Sequence, residues 1–113
     1  MPVKNNLENI SKEYVMEINK IFADKLKKII LYGSYARGDY DEYSDIDIMI
    51  LVDMPRDEIK KKWDNVMNSK CDMDNKYDVF LSPIIKDINQ FNYYLPVLPF
   101  YQNIIKDGVV WYE

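Results

Sequence analysis

Histidine is absent from this chain of 113 residues, and cysteine occurs once, as Cys71. Without histidine the chain cannot by itself build a Cys–His zinc site or a Ser–His–Asp triad. A single cysteine allows no intrachain disulfide, and Cys71 reads as an ordinary reduced thiol. No apolar run approaches the ~20 residues needed to span a bilayer. The start, Met1-Pro2-Val3-Lys4-Asn5-Asn6, lacks the apolar stretch of a signal peptide. A cytoplasmic protein with no membrane partner is therefore expected. Positive charge is also in deficit, with 15 Lys and Arg against 19 Asp and Glu, a net charge of −4. That balance argues against direct nucleic-acid binding. The clusters Lys25, Lys27, Lys28 and Lys60, Lys61, Lys62 read as solvated helix faces or ends.

What is present fits one domain over residues 1–113, 48% apolar and 30% charged, with no repeat and no low-complexity tract. Leu7, Ile10, Tyr14, Ile18, Ile21 and Phe22 recur at helical spacing, with Asn5 or Asn6 as the expected cap. Lys28 to Tyr32 reads as a buried strand ended by Gly33. Ser34 to Arg37 reads as a short helix closed by Gly38, and Asp39 to Ser44 as a loop. Ser44 to Val52 is a second strand. Asp45, Asp47, Met49 and Leu51 share one face of it, and Ile46, Ile48, Ile50 and Val52 the other. A helix is expected from Pro55, with Ile59, Trp63, Val66 and Met67 inward, fading near Asn68 to Lys70 into a polar turn over 71–76. Tyr77 to Leu81 is expected as a third strand stopped by Ser82-Pro83. A short helix within Lys86–Tyr94, a last helix capped by Gly108, and an edge strand Val109–Tyr112 complete a small α/β domain, a mixed sheet with helices packed on it.

The chemistry concentrates between residues 33 and 47. Gly33-Ser34 follows a strand and opens a helix. There the backbone can approach a ligand closely, free N–H groups favour phosphate, and the Ser34 hydroxyl adds a donor. Asp45 and Asp47 are either a polar strand end dipping into water or a pair whose mutual repulsion a hard cation such as Mg²⁺ relieves. Asp78 is the one charged residue inside the expected third strand. It either points to solvent or completes a three-acid cluster. Arg37 either contacts phosphate or pins the loop through Asp39 or Asp41. Tyr40, Tyr43, Phe91, Tyr93, Tyr94, Phe100 and Tyr101 are many aromatics for one small domain. Most are expected to pack on the core, and the rest suit a partner interface.

Gly-Ser, ten residues, then Asp-Ile-Asp running into an apolar strand resembles the signature of the polymerase-β-type nucleotidyltransferase superfamily. Ala36-Arg37-Gly38, Ser44-Asp45-Ile46-Asp47 and the closing Ile105 to Tyr112 are similar to its minimal nucleotidyltransferase (MNT) branch. The resemblance implies a nucleotidyltransferase palm, ATP as substrate and two Mg²⁺ ions. It implies that Gly33 and Ser34 hold the β- and γ-phosphates, that Asp45 and Asp47 bind both ions, and that Asp78 shares the ion activating the acceptor hydroxyl. The implied reaction is attack of an acceptor on the α-phosphorus of ATP, transferring AMP and releasing pyrophosphate. MNT proteins of this size are similar to the antitoxins of HEPN–MNT pairs. In those pairs the MNT protein adenylylates a tyrosine of the HEPN toxin. A HEPN partner, and a homo- or hetero-oligomer, are the expectations that follow. A binding module that neutralises its partner without turnover, and an aminoglycoside-type small-molecule nucleotidyltransferase, are the two other functions the motif allows.

Overall fold

The structure is a computed structural model and describes residues 3–113, with side chains from residue 6 onward. A four-stranded sheet has the order β3-β2-β1-β4. Its strands are β1 (Leu26–Tyr32), β2 (Ile46–Val52), β3 (Leu81–Asp87) and β4 (Val109–Tyr112). β1 lies antiparallel to β2 and β4, and β2 lies parallel to β3. The helices are α1 (Val3–Phe22), α2 (Ser34–Arg37), α3 (Arg56–Tyr77), α4 (Ile88–Tyr94) and α5 (Pro99–Asp107). Among the described residues no helix is long and apolar enough to cross a membrane.

The alternation along β2 builds two cores. Ile46, Ile48, Ile50 and Val52 face α1 and α3, where Ile10, Tyr14, Ile18, Ile59, Val66 and Met73 meet them. Met49 and Leu51 face the other way, against Phe91 of α4 and Tyr101 and Ile104 of α5. A strand apolar on both faces belongs inside the sheet, and β2 lies there. Asp47 keeps the phase of Met49 and Leu51, so it faces the α5 side.

Several boundaries differ from the sequence-based expectations: β1 begins at Leu26 and not Lys28, and β2 at Ile46 and not Ser44, which leaves Asp45 just outside the strand. α1 begins at Val3, so Asn5 and Asn6 lie within its first turns and do not cap it. α3 does not fade near Lys70 but runs on to Tyr77. Val66 and Met73, seven residues apart, keep one narrow stripe on the core. Lys70 is buried, pairs with Asp74, and sets its ammonium 3.7 Å from the centre of the Phe80 ring. The third strand is Leu81–Asp87 and not Tyr77–Leu81. Asp74 fixes that start, because its Oδ1 accepts the Leu81 N–H at 2.8 Å. Ser82-Pro83 therefore lies inside the strand. Pro83 is tolerated because β3 is an edge. Ile46 N–H donates to Phe80 O, and backbone groups alternate sides along a strand, so the Pro83 nitrogen faces the open edge.

Candidate active site

The site is built where β1 ends and β2 begins, since these adjacent antiparallel strands bring Tyr32 opposite Asp47. Gly33 leaves β1 at φ 74° and ψ −154°, a conformation open only to glycine. α2 then starts at once, with the Ala36 and Arg37 N–H groups both donating to Gly33 O at 3.1 Å. The first N–H groups of any helix have no partner within it, and of these the one on Ser34 belongs to a residue that lines the cavity described below. Gly38 closes the helix in the left-handed region. Tyr40 stacks on Tyr35 with ring centres 4.2 Å apart, tying the loop back onto the turn. An Asx turn then ends the loop: Tyr43 N–H donates to Asp41 Oδ1 at 2.8 Å and Asp41 N–H to Ser44 Oγ at 3.0 Å. Asp45 follows directly, exposed and one residue before the strand, and Asp47 is half-buried within it.

The turn and the acid are in contact. A Cβ placed on Gly33 would lie 2.3 Å from Asp47 Oδ2 and 3.2 Å from its Cγ. A side chain here would force the Asp47 carboxylate to shift, so glycine lets turn and acid lie together as they are. Burial, and then the charge of Asp45, push the Asp47 pKa up, and the Arg37 guanidinium opposes them. Tyr32 is pushed up to about 12 by its own burial and then by Asp47. Arg37 pairs with Asp39 at 3.2 Å, so the loop-pinning contact is present. The same side chain also lines the cavity described next.

That cavity, about 380 Å³, is walled on one side by Tyr32, Gly33, Ser34, Arg37 and Asp47. Phe100, Asn103, Ile104 and Asp107 of α5 form the opposite wall. The sequence reading assigned these α5 residues no place in the site. Their signal was a spacing of three and four along one helix face, which is also that of a core stripe. The structure does not bring Asp78 into this group. It caps α3 in the left-handed conformation, φ 53° and ψ 52°, exposed and three residues before β3. Among the described residues no three acidic, histidine or cysteine side chains come together as a metal cluster. The donors still suit Mg²⁺, which is commonly held by one or two carboxylates with substrate phosphates and water completing its shell.

The site is thus a glycine turn set against an aspartate, with α5 walling a cavity beside both. Residues 15–111 match the model of the nucleotidyltransferase domain, and the chain belongs to that family. A protein of Methanocaldococcus jannaschii named "Putative protein adenylyltransferase MJ0141" is 48% identical over 67% of this chain and 75% of its own length. Another from that organism, "Putative protein adenylyltransferase MJ0604", is 36% identical over 95% of this chain and 99% of its own. Among solved structures, one titled as a toxin-antitoxin with AMP-PNP has a TM-score of 0.57 at 19% identity, covering 89% of this chain and 72% of its own. A variant of the MntA-HpeT toxin-antitoxin matches with the same TM-score at 17% identity and the same coverage. At such identities these two structures establish the shared fold: the mixed sheet with its helices is the polymerase-β-like nucleotidyltransferase architecture.

Proposed function

We propose that this chain transfers AMP from ATP to a tyrosine hydroxyl of a partner HEPN-type toxin in the cytoplasm, and so acts as its antitoxin. The contact of Gly33 with the Asp47 carboxylate carries the reading. In this reading that contact would put a phosphate-binding backbone directly beside a metal-binding acid, a closeness that a polar strand end has no need of. The names of the relatives support a protein acceptor, and the fold shared with toxin–antitoxin chains supports a toxin as that acceptor.

In this reading the backbone of Gly33 and Ser34 and the Ser34 hydroxyl hold the triphosphate. Arg37 sets a positive charge over it while keeping its hold on Asp39. Asp45 and Asp47 would hold Mg²⁺, two ions in the fullest form. Bound there, the metal supplies charge neutralisation for the attacking and leaving oxygens. The acceptor oxygen forms its bond to the α-phosphorus as its proton passes to water, and the bond from that phosphorus to the leaving pyrophosphate breaks. The α5 wall, with Phe100 and Ile104, gives the cavity an apolar side beside the triphosphate site. Asp78 would join only if the start of β3 brought it toward the pair.

The test is incubation with α-labelled ATP, Mg²⁺ and lysate of the source organism, beside an Asp45→Asn/Asp47→Asn control. A discrete labelled protein that needs both aspartates is the expected result. Tight partner co-purification with no labelled protein would replace this reading with stoichiometric binding.

A further inference from the structure

The two sides of the sheet are covered by helices of opposite character. α3 opens Arg-Asp-Glu-Ile-Lys-Lys-Lys, the charged outer face of a solvated helix. From Ile88 to Ile105, across α4, the turn and most of α5, there is no Asp, Glu, Lys or Arg, although 30% of the chain is charged. The inward residues of this hairpin, Phe91, Tyr101 and Ile104, already make its core. Its outward face is uncharged: the amides Asn89, Gln90, Asn92, Gln102 and Asn103 flank a patch of large apolar residues around the turn. Tyr93 is 77% and Val97 69% exposed, and Tyr94, Leu98 and Phe100 are exposed beside them. Fewer of the chain's aromatics pack inward than the sequence suggested. Of the seven singled out, Phe91 and Tyr101 are in the core and Tyr40 lies half-buried on Tyr35, while Tyr43, Tyr93, Tyr94 and Phe100 are exposed.

The hairpin is also held in one shape. Val97 and Leu98 N–H both donate to Tyr94 O at 3.0 Å. Gln102 Nε2 donates to the carbonyls of Leu95 and Pro96 at 3.1 and 3.0 Å. A pre-shaped surface, poor in charge and rich in tyrosine, has the composition of the buried centre of a protein interface. Position decides what covers it. Phe100 belongs both to this face and to the wall of the Asp47 cavity, where its ring meets Tyr32 edge-on at 5.7 Å. A body resting on residues 93–100 therefore stands at the cavity mouth, where the acceptor hydroxyl must arrive. A second copy seated there would obstruct its own reaction.

We propose that the outer face of the α4–α5 hairpin is the docking platform for the acceptor protein, which meets it with an uncharged, apolar surface next to its acceptor hydroxyl. The proposal rests on the acceptor being a protein. Its test uses the protein that the wild-type chain labels in lysate, identified by mass and purified. AMP transfer is measured against acceptor concentration at saturating ATP for wild type, for Tyr93→Asp/Val97→Asp, and for Met16→Asp. Met16 is an exposed apolar residue of α1, which packs on the opposite side of the sheet.

The hairpin variant should raise the acceptor KM by about ten-fold or more, with kcat and the ATP KM unchanged. Met16→Asp should change nothing, and all three should melt together because the substituted side chains are exposed. An unchanged acceptor KM, or a fall in kcat alone, overturns the platform. So does a wild-type dimer that the hairpin variant turns into a monomer, which would make the occupant a second copy. If the wild-type chain labels no protein, the protein-acceptor reading falls and takes the platform with it. That outcome is distinct from a labelled acceptor whose KM ignores the new charges.

Discussion

Gly33→Ala and Gly38→Ala form a matched pair, because both glycines sit at positive φ but only one touches the site. Gly33 has φ 74° and ψ −154°, and Gly38 φ 84° and ψ 9°. Alanine at position 33 adopts a sparsely populated conformation at a cost of about 1–3 kcal/mol. At position 38 the left-handed conformation costs about 1–2 kcal/mol. At about 4 °C per kcal/mol for a domain of this size, Tm should fall by about 4–12 °C and about 4–8 °C respectively. The variants part company in activity. Around Gly38 nothing lies within 4 Å of the added methyl group. At Gly33 the methyl would lie 2.3 Å from Asp47 Oδ2, and ordinary contact needs the carboxylate to retreat by about 1 Å. A misplacement of about 1 Å costs on the order of 100-fold in rate. Calorimetry and transfer from α-labelled ATP, run below both melting temperatures, separate the two effects. Gly33→Ala should lose about two orders of magnitude in turnover and Gly38→Ala little. If Gly33→Ala turned over like the wild type, or Gly38→Ala lost as much, the contact between turn and acid would not be what organises the site.

Other outcomes follow from the same geometry. Burial and Asp45 hold the Asp47 pKa above its ordinary value, so the folded chain binds that proton more tightly than the unfolded one. The contribution of Asp47 to stability is therefore greatest in acid and declines as pH rises through its titration. The ligand-free Asp47→Asn chain should melt above wild type at pH 7, with the gap closing toward about pH 3; a lower Tm at pH 7 would contradict the assigned cause. Asp78→Asn keeps a side chain suited to the left-handed cap, so stability should hold and activity should drop less than about ten-fold, against about 100-fold or more for Asp47→Asn. A loss equal to that of Asp47→Asn, measured by the same transfer assay, would show that Asp78 acts with the pair. Asp74→Ala strips a mostly buried Lys70 of its partner and the Leu81 N–H of its acceptor. Urea unfolding should register a loss of about 3–5 kcal/mol.

Much of this molecule is legible in its residues, and what is not legible fails for identifiable reasons. The stripe of α1, the strand into Gly33, the helix Ser34–Arg37 and the two-faced β2 each follow one periodicity, and the structure has them. The second half of α3 hides because its contact with the core is one residue wide. Met73 and the buried stem of Lys70 serve where a fuller stripe would have announced a helix. The Tyr77-Asp78-Val79-Phe80 run looks like a strand by composition. In the fold Tyr77 ends the helix and donates its hydroxyl to Glu13 on α1 at 3.1 Å, a partner 64 residues away. That error moved Asp78 into the expected site, and the spacing of α5 concealed the wall that faces Asp47. Gly33, Ser34, Arg37 and Asp47 line one cavity because the turn into α2 follows the end of β1, which pairs with the start of β2, and all four fall within one short stretch of sequence.

The placement of Pro83 bears on the life of the chain before and between its encounters with a partner. β3 is a seven-residue edge, long enough to recruit a strand from another molecule. With no N–H at its third residue, where the backbone nitrogen is turned to the edge, the strand offers a broken ladder to any incoming chain. Growth of the sheet by stacking copies is thus discouraged on the side away from β4. A strand-compatible Pro83→Val would restore the missing rung, so this variant should form thioflavin-positive aggregate on storage at concentrations where the parent stays clear. A residue that looks like a stop signal along the sequence acts in three dimensions as a guard against self-assembly.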